Sequence, residues 1–585
     1  MGQRLDRVMY RISIIYIALP IFIFLAGWLR LIIAVPACII FLTSLFLMMR
    51  NRPEPIQWHI TKAQWLAVAV SIIILALWVF FSGIGGFSFQ NIDYHDRNAI
   101  FRDLIDRSWP VIYNFSPDAR NAMQGLITLP AQGMLSYYIA FWLPSALVGK
   151  IFGWYAGNAC LYFWALTGVL LIVYYIFRTL RRVSIWPVLI FIFFSGLDIA
   201  GYLIINKGAV PSLITHIEWW AGYQYSSNTT LLFWVFNQAL IPWLAIMLIL
   251  NMKNSRSLFF LYAMLLLYGP FPFLGMLPFV LWKAYQGYPV FVKTRKSALP
   301  SLLKQTAFWI GRGIRRALTF ENMAGGISVL VITGIYFLNN VSSGRYMGIN
   351  SIVPAYFSFF ALEAGLYLLL LFAYFRKYPV YWICVISLIL IPLFQVGVYQ
   401  DFCMRVSIPA LFMTQILIQK ALIGKKDREG IAGKDFTDGA AQPADEDKAA
   451  VSENTVSEHT VSGDFFAFSK RDQRLISFVL SVMLCIGAVV PVQEISRSLW
   501  NTFPEYAPTQ AAMSALGDTL KHSNVKLLVS WGEALAEQSN KGQLWADEKK
   551  SLQNVDIIMT NEITTLNYIT STEGNFYYRY MAREP

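Results

Sequence analysis

Asp93, His95 and Asp96 bring two carboxylates and an imidazole into one short stretch. Asp93 and Asp96 are three positions apart, so on a helix they share a face. Carboxylates beside an imidazole can take a proton from a hydroxyl or hold a divalent cation such as Mg or Mn. Asp93 and Asp96 are therefore the catalytic candidates and His95 a substrate-binding one. The competing reading of Asp96 is a helix N-cap, since Arg97, Asn98 and Ala99 follow it. A second set lies at 399–405, Tyr-Gln-Asp-Phe-Cys-Met-Arg. Asp401 and Arg405 can pair with each other, or the planar fork of Arg405 can hold a lipid phosphate; Arg345, in the loop near 341–354, is a further substrate-binding candidate. His216 and Glu218 stand among Trp219, Trp220, Tyr223, Gln224 and Tyr225. Rings that stack on C–H faces, with polar groups for the hydroxyls, suit a sugar; they equally suit an interfacial aromatic belt. Asp198 and Glu363 fall inside apolar runs, where an ionisable group is a functional candidate by default. Asp198 is expected to face the outer cavity as a substrate-binding residue.

The elements that position these residues are membrane helices. The 585 residues are 56 % hydrophobic, 16 % aromatic and 14 % charged, with a mean hydropathy of +0.50. Soluble domains carry about 25 % charged residues, so a soluble enzyme, a disordered chain and a coiled coil are excluded. Cys38, Cys160, Cys384, Cys403 and Cys485 show no CxxC spacing, which predicts neither a zinc site nor a disulfide framework. A spanning helix needs about 20 apolar residues. Such runs fall at 12–29, 31–49, 64–82, 155–177, 184–205, 229–250, 323–340, 355–375, 378–399, 406–423 and 474–494. The stretch 257–283 carries Gly269-Pro270-Phe271-Pro272, and proline breaks a helix, so two short helices in a hairpin are expected there. The fold class is an all-α polytopic membrane protein with about 13 membrane helices, the hairpin pair included.

The net charge of +13 invites a nucleic-acid partner, but positive-inside topology accounts for it and no nucleic acid is expected. Arg4, Arg7 and Arg11 precede the first run; Arg178, Arg181 and Arg182 follow the fourth long one; 283–316 holds eight basic residues and no acidic one. These share a side if the N-terminus is cytoplasmic. The segment 134–152, interrupted by Pro144, is then an outer interfacial or re-entrant helix.

Five regions follow. Residues 1–63 form an N-terminal transmembrane hairpin with a cytoplasmic loop, and 64–423 a transmembrane core with the outer loop 83–133. Residues 424–464 are polar and read as a disordered cytoplasmic loop; 465–496 hold the last span. Residues 497–585 read as a small extracytoplasmic α+β appendage, with a helix near 509–521 and strands at 525–529, 555–559 and 575–580. In the outer loop, Gly83, Gly85 and Gly86 permit a tight turn, and Ala99, Ile100, Leu104 and Ile105 mark an amphipathic helix suited to a membrane surface.

An outer loop with an acidic pair, a Pro-containing segment ending in Phe152-Gly153, a span ending in Arg178-Thr179-Leu180-Arg181-Arg182, a later short-helix pair and a soluble tail together resemble the GT-C superfamily of integral-membrane glycosyltransferases. The stretches 91–113 and 399–412 resemble bacterial GT-C-like membrane proteins in wording; the likeness in layout covers about 60–425. The resemblance implies a polyprenyl-phosphate-linked sugar donor, a glycan, lipid or protein acceptor at the outer face of a bacterial plasma membrane, and contact with membrane lipids. It maps the acceptor-activating base to Asp93 or Asp96. Many members carry adjacent acidic residues, whereas Tyr94 and His95 separate this pair, and an extra helical pair precedes the loop-bearing span. The competing classes are a glycan polymerase or ligase, a lipid-linked sugar flippase or transporter, and a non-catalytic membrane scaffold.

Overall fold

The computed structural model describes residues 2–50, 61–115, 117, 130–213, 215–286, 318–338, 347–349, 354–396, 400–424, 470–503 and 568–584. The chain is mostly helical. Among the described residues, eight helices are long and apolar enough to cross a membrane: Arg4–Trp28, Leu31–Arg50, Lys62–Phe81, Trp154–Leu180, Trp186–Ile205, Asn228–Asn251, Ala355–Phe375 and Arg471–Thr502. Five further apolar helices have 10–17 residues: Ala140–Phe152, Leu258–Tyr268, Glu321–Phe337, Pro379–Leu393 and Ile408–Ile423. The runs at 378–399 and 406–423 give short helices because Phe394–Val396 leaves the helix as a strand and the last helix starts only at Ile408.

Asn228–Asn251 is the hub of the bundle, buried along nearly its whole length. Ser227 caps it by accepting from Thr230 N. Lys62–Phe81 opens on a capping box, with Thr61 accepting from Gln64 N and the Gln64 side chain returning to Thr61 N at 2.9 Å. The 257–283 stretch does break at Gly269, and the rings of Tyr262 and Phe273 stack at 4.1 Å across the break. A second break interrupts Trp186–Ile205 between Phe193 and Asp198, where no proline signals it. Arg178, read above as a loop charge, is buried against Asp6 at 3.6 Å and hydrogen-bonds Asn251.

The loop after Lys62–Phe81 turns as expected, with φ of 83°, 87° and 73° at Gly83, Gly85 and Gly86. The helix Tyr94–Asp106 follows. It does not lie free on a membrane surface: its apolar face packs on protein, with Ile105 seated against Gly149 and Gly157. The segment 134–152 is only partly the expected helix. Its first residues belong to strand β2 (Gln132–Leu135), the centre of a three-stranded antiparallel sheet with β1 (Ile112–Asn114) and a strand near the C-terminus, Ile569–Ser571.

The expected elements at 509–521, 525–529 and 555–559 lie outside the described residues, as does the loop 425–464. Residues 575–580 form a helix, Phe576–Tyr580, rather than a strand, because Asn575 caps it by accepting from Tyr578 N. The described tail is docked on the helical core. Arg30 N donates to Met581 O and Arg583 N to Trp28 O, so the tail, the Trp28–Leu31 turn and the sheet share one face of the bundle.

Candidate functional site

The site begins with how the 83–115 loop is pinned. Tyr94 donates its hydroxyl to Ser82 O at 2.9 Å and stacks on Phe236 of the hub helix. Asn91 donates to Phe233 O at 3.0 Å. These anchors place Asp93 in the N-cap position of Tyr94–Asp106, yet its carboxylate caps nothing. It accepts instead from Arg97 Nη2 at 2.9 Å. Asp96 lies inside the first turn, so the N-cap reading is overturned; its buried Oδ2 accepts from the Tyr568 hydroxyl at 3.2 Å. His95 is in the same turn, and its side chain lies outside the described residues.

Arg405 comes to this place from the other end of the chain, on the short helix Asp401–Val406. It pairs with Asp401 at 3.1 Å and donates to the Tyr138 hydroxyl at 2.8 Å. Burial opposes its charge, but Asp401, Tyr138, Tyr137 and Asp93 outweigh that and hold the guanidinium more basic than usual. Burial opposes the Arg97 charge as well; Asp93 and then Tyr137, Tyr94 and Tyr568 outweigh it in the same direction. Arg97 and Arg405 thus belong to one cluster with Asp93. The two carboxylates stand forward, Asp93 and Asp401 each 41 % exposed, and the guanidiniums stand behind at 9 % and 15 %. Arg97 Nη1 and Arg405 Nε are buried and meet no acceptor among the described residues. Buried N–H groups of this kind are rare unless an anion or water takes them.

The remaining candidates gather elsewhere. Glu218 is buried, and its Oε1 accepts from Ser227 N at 2.8 Å and the Thr230 hydroxyl at 2.7 Å, which makes it a fastening for the start of the hub helix. Burial, then the Asp198 charge, pushes its pKa up to about 8. Burial and then Arg497 lower His216 to about 4, so it is neutral at pH 7; its ring stacks on Trp219 at 4.4 Å. Asp198 is fully buried beside Ser195. Asp198, His216 and Glu218 thus form a second cluster beside that of Asp93 and Arg405, and the two adjoin through Gln224, whose side chain donates to Glu218 and whose backbone bonds Cys403. Arg345 lies outside the described residues. All five cysteines are free.

Among the described residues no three His, Cys, Asp or Glu side chains gather as a metal set. Asp93 and Asp401 each face an arginine, so these donors do not fit a Mg or Mn ion, and no step is assigned to one. The residues missed in the sequence are Arg97, Tyr137, Tyr138 and Tyr568. Arg97 was legible as the i+4 partner of Asp93. Tyr568, 472 positions from Asp96, carried no local signal.

Two consequences are measurable. Tyr568→Phe removes the donor to Asp96 and should cost about 1 kcal/mol, read as a lower melting temperature of the purified chain. Glu218 ordinarily titrates near 4.5, and in the fold at about 8. The folded chain therefore keeps a proton that the unfolded chain has released. Stability from this group is full below the lower value and lost as pH rises to about 8. Glu218→Gln should flatten that part of the melting-temperature profile; an unchanged slope would remove Glu218 as its source.

No protein-family model, curated protein or solved structure matches the chain.

Proposed function

We propose that the chain is a membrane glycosyltransferase that moves a sugar from a polyprenyl-phosphate donor to a cell-envelope glycan, lipid or protein acceptor, with inversion. The observation that carries this reading is the pair of buried arginines with unused N–H donors beside the half-exposed Asp93. Two guanidiniums suit a phosphate, and a lipid-borne phosphate suits a site built on membrane helices. Arg405 and Arg97 hold the phosphate. A phosphate taking donors from Arg97 loosens its grip on Asp93, which then accepts the acceptor's hydroxyl proton. The hydroxyl oxygen bonds C1 from the face opposite the phosphate, and the C1–O bond breaks with its electron pair going to the phosphate. The arginines hold the charge that develops there. Asp96, buried under Tyr568, serves as a fixed neighbour rather than the base.

The GT-C-like layout, about 13 membrane helices, a cytoplasmic N-terminus and a bacterial plasma-membrane location belong to the same proposal. The tail and the 83–115 loop then lie outside, where a lipid-linked sugar arrives laterally. A second reading, a flippase or transporter for lipid-linked sugars, is favoured by the broken span at Phe193–Asp198 and its buried carboxyls. Phosphate recognition is tested by melting the purified chain with polyprenyl phosphate and with the matching polyprenol. Stabilisation by the phosphate alone is expected; equal effects would remove the phosphate site.

A further inference from the structure

The break in Trp186–Ile205 is built, not frayed. The carbonyls it frees at Phe191, Ile192 and Phe194 accept from Asn228 Nδ2 at 2.9 Å, Thr229 Oγ1 at 2.7 Å and Asn228 N at 3.2 Å. Tyr367 donates its hydroxyl to Ser195 O at 3.2 Å. The second half starts at Asp198, which is fully buried and accepts from Ser195 Oγ at 2.7 Å through Oδ2.

Opposite the break lies a π-helical turn, Ala361–Gly365, in the span Ala355–Phe375. It carries Glu363, 2 % exposed, whose Oε1 accepts from Trp220 Nε1 at 2.8 Å. Gly196 is what lets the two elements close. A Cβ there would overlap the Glu363 carboxylate. Leu197 N donates to Leu362 O at 3.1 Å beside it. The Asp198 and Glu363 carboxyls lie within hydrogen-bonding reach of each other. Asp198 Oδ1 and Glu363 Oε2 are buried and take no donor from any described residue.

No cation offsets this pair among its described neighbours. The groups that face it are Glu218 from the loop before the hub helix, Tyr225, and Tyr367 from its own span. Cys485, on the helix Lys470–Gly487, is within reach of Tyr367. Arg497, on the helix packed behind, is turned to Glu494 and to the carbonyls of Leu213 and Thr215. A buried carboxylate without a cationic partner must be neutralised. Two carboxyl groups can bond each other only through a hydrogen that one of them carries.

We propose that Asp198 and Glu363 form an exchangeable proton-binding site at the break, joining the two spans. Its proton is the donor that the two unserved oxygens otherwise lack. With it bound, the spans are clasped at Gly196 and Leu197. On its release two like charges face each other, and the clasp and the Trp220 loop part together. The inference does not depend on the glycosyltransferase reading.

Infrared absorption of the full-length protein in lipid, in sodium-free buffer, tests it. A protonated-carboxyl band is expected that moves in heavy water and that both Asp198→Asn and Glu363→Gln abolish. Trp220→Phe leaves the pair in place and should shift the band, which guards against misfolding of the acidic variants. Glu218→Gln should remove its own band and leave that of the pair. A spectrum in which Asp198→Asn and Glu363→Gln leave every carboxyl band in place would overturn the site. Loss of the band on adding sodium at fixed pH would also overturn it, by making the ligand a metal cation.

Discussion

An Asp93→Asn chain is expected to lose sugar transfer by about 10²- to 10⁴-fold, the usual share of a positioned general base. The substitution keeps the size of the side chain and removes its capacity to take a proton. Asp93 is itself 41 % exposed and caps no helix, but its partner Arg97 is only 9 % exposed, so the substitution also takes the counter-charge from a buried guanidinium and should lower the melting temperature measurably. Turnover should fall by far more than that loss of stability accounts for. Asp96→Asn makes the contrast. It replaces one buried carboxylate oxygen with an amide NH2 and leaves Tyr568 at best a weaker, neutral acceptor, so stability should fall more than turnover. A reversal of these two patterns would exchange the roles of the carboxylates.

Arg405→Ala should weaken binding of polyprenyl phosphate by about 2–5 kcal/mol, the range for truncating one partner of a buried charge pair. Arg405 makes one bond to Tyr138, one pair with Asp401 and keeps Nε in reserve. Arg405→Lys should recover little, because an ammonium lacks the planar fork. Part of the loss in the alanine variant will come from Asp401, left without its cation. Asp401→Asn separates the two effects: it frees Arg405 and should leave phosphate binding unchanged or tighter. Melting with polyprenyl phosphate reads all three variants.

How much of this was legible depended on the range of the force involved. The long spans were plain, because a run such as 229–250 has no other place to go than a membrane. The break at Gly269 was legible because proline forbids the helix locally. The break at Phe193–Asp198 was not, because the groups that stabilise it, Asn228 and Thr229, lie 37 residues from the carbonyls they bond. The aromatic run 575–580 read as a strand, and one side chain, Asn575, makes it a helix. Asp93 and Arg405 were both legible as chemistry-bearing residues, and they do share a cluster. The aromatic neighbours of Glu218 and His216 suit a sugar surface and an interfacial belt equally; the structure uses the Glu218 carboxylate to fasten the hub helix. Tyr568 reaches Asp96 only because β2 recruits the C-terminal strand, a pairing no local pattern announces.

Asp93 and the two arginines are proposed to act on a lipid-linked sugar. The direct measurement is to place the purified chain in vesicles with a radiolabelled polyprenyl-phosphate sugar and cell-envelope acceptor, and to follow the label. Label is expected to leave the lipid for the acceptor with the parent chain and to stay on the lipid with Asp93→Asn. Label that remains on the lipid in both cases, and merely crosses the bilayer, would contradict it.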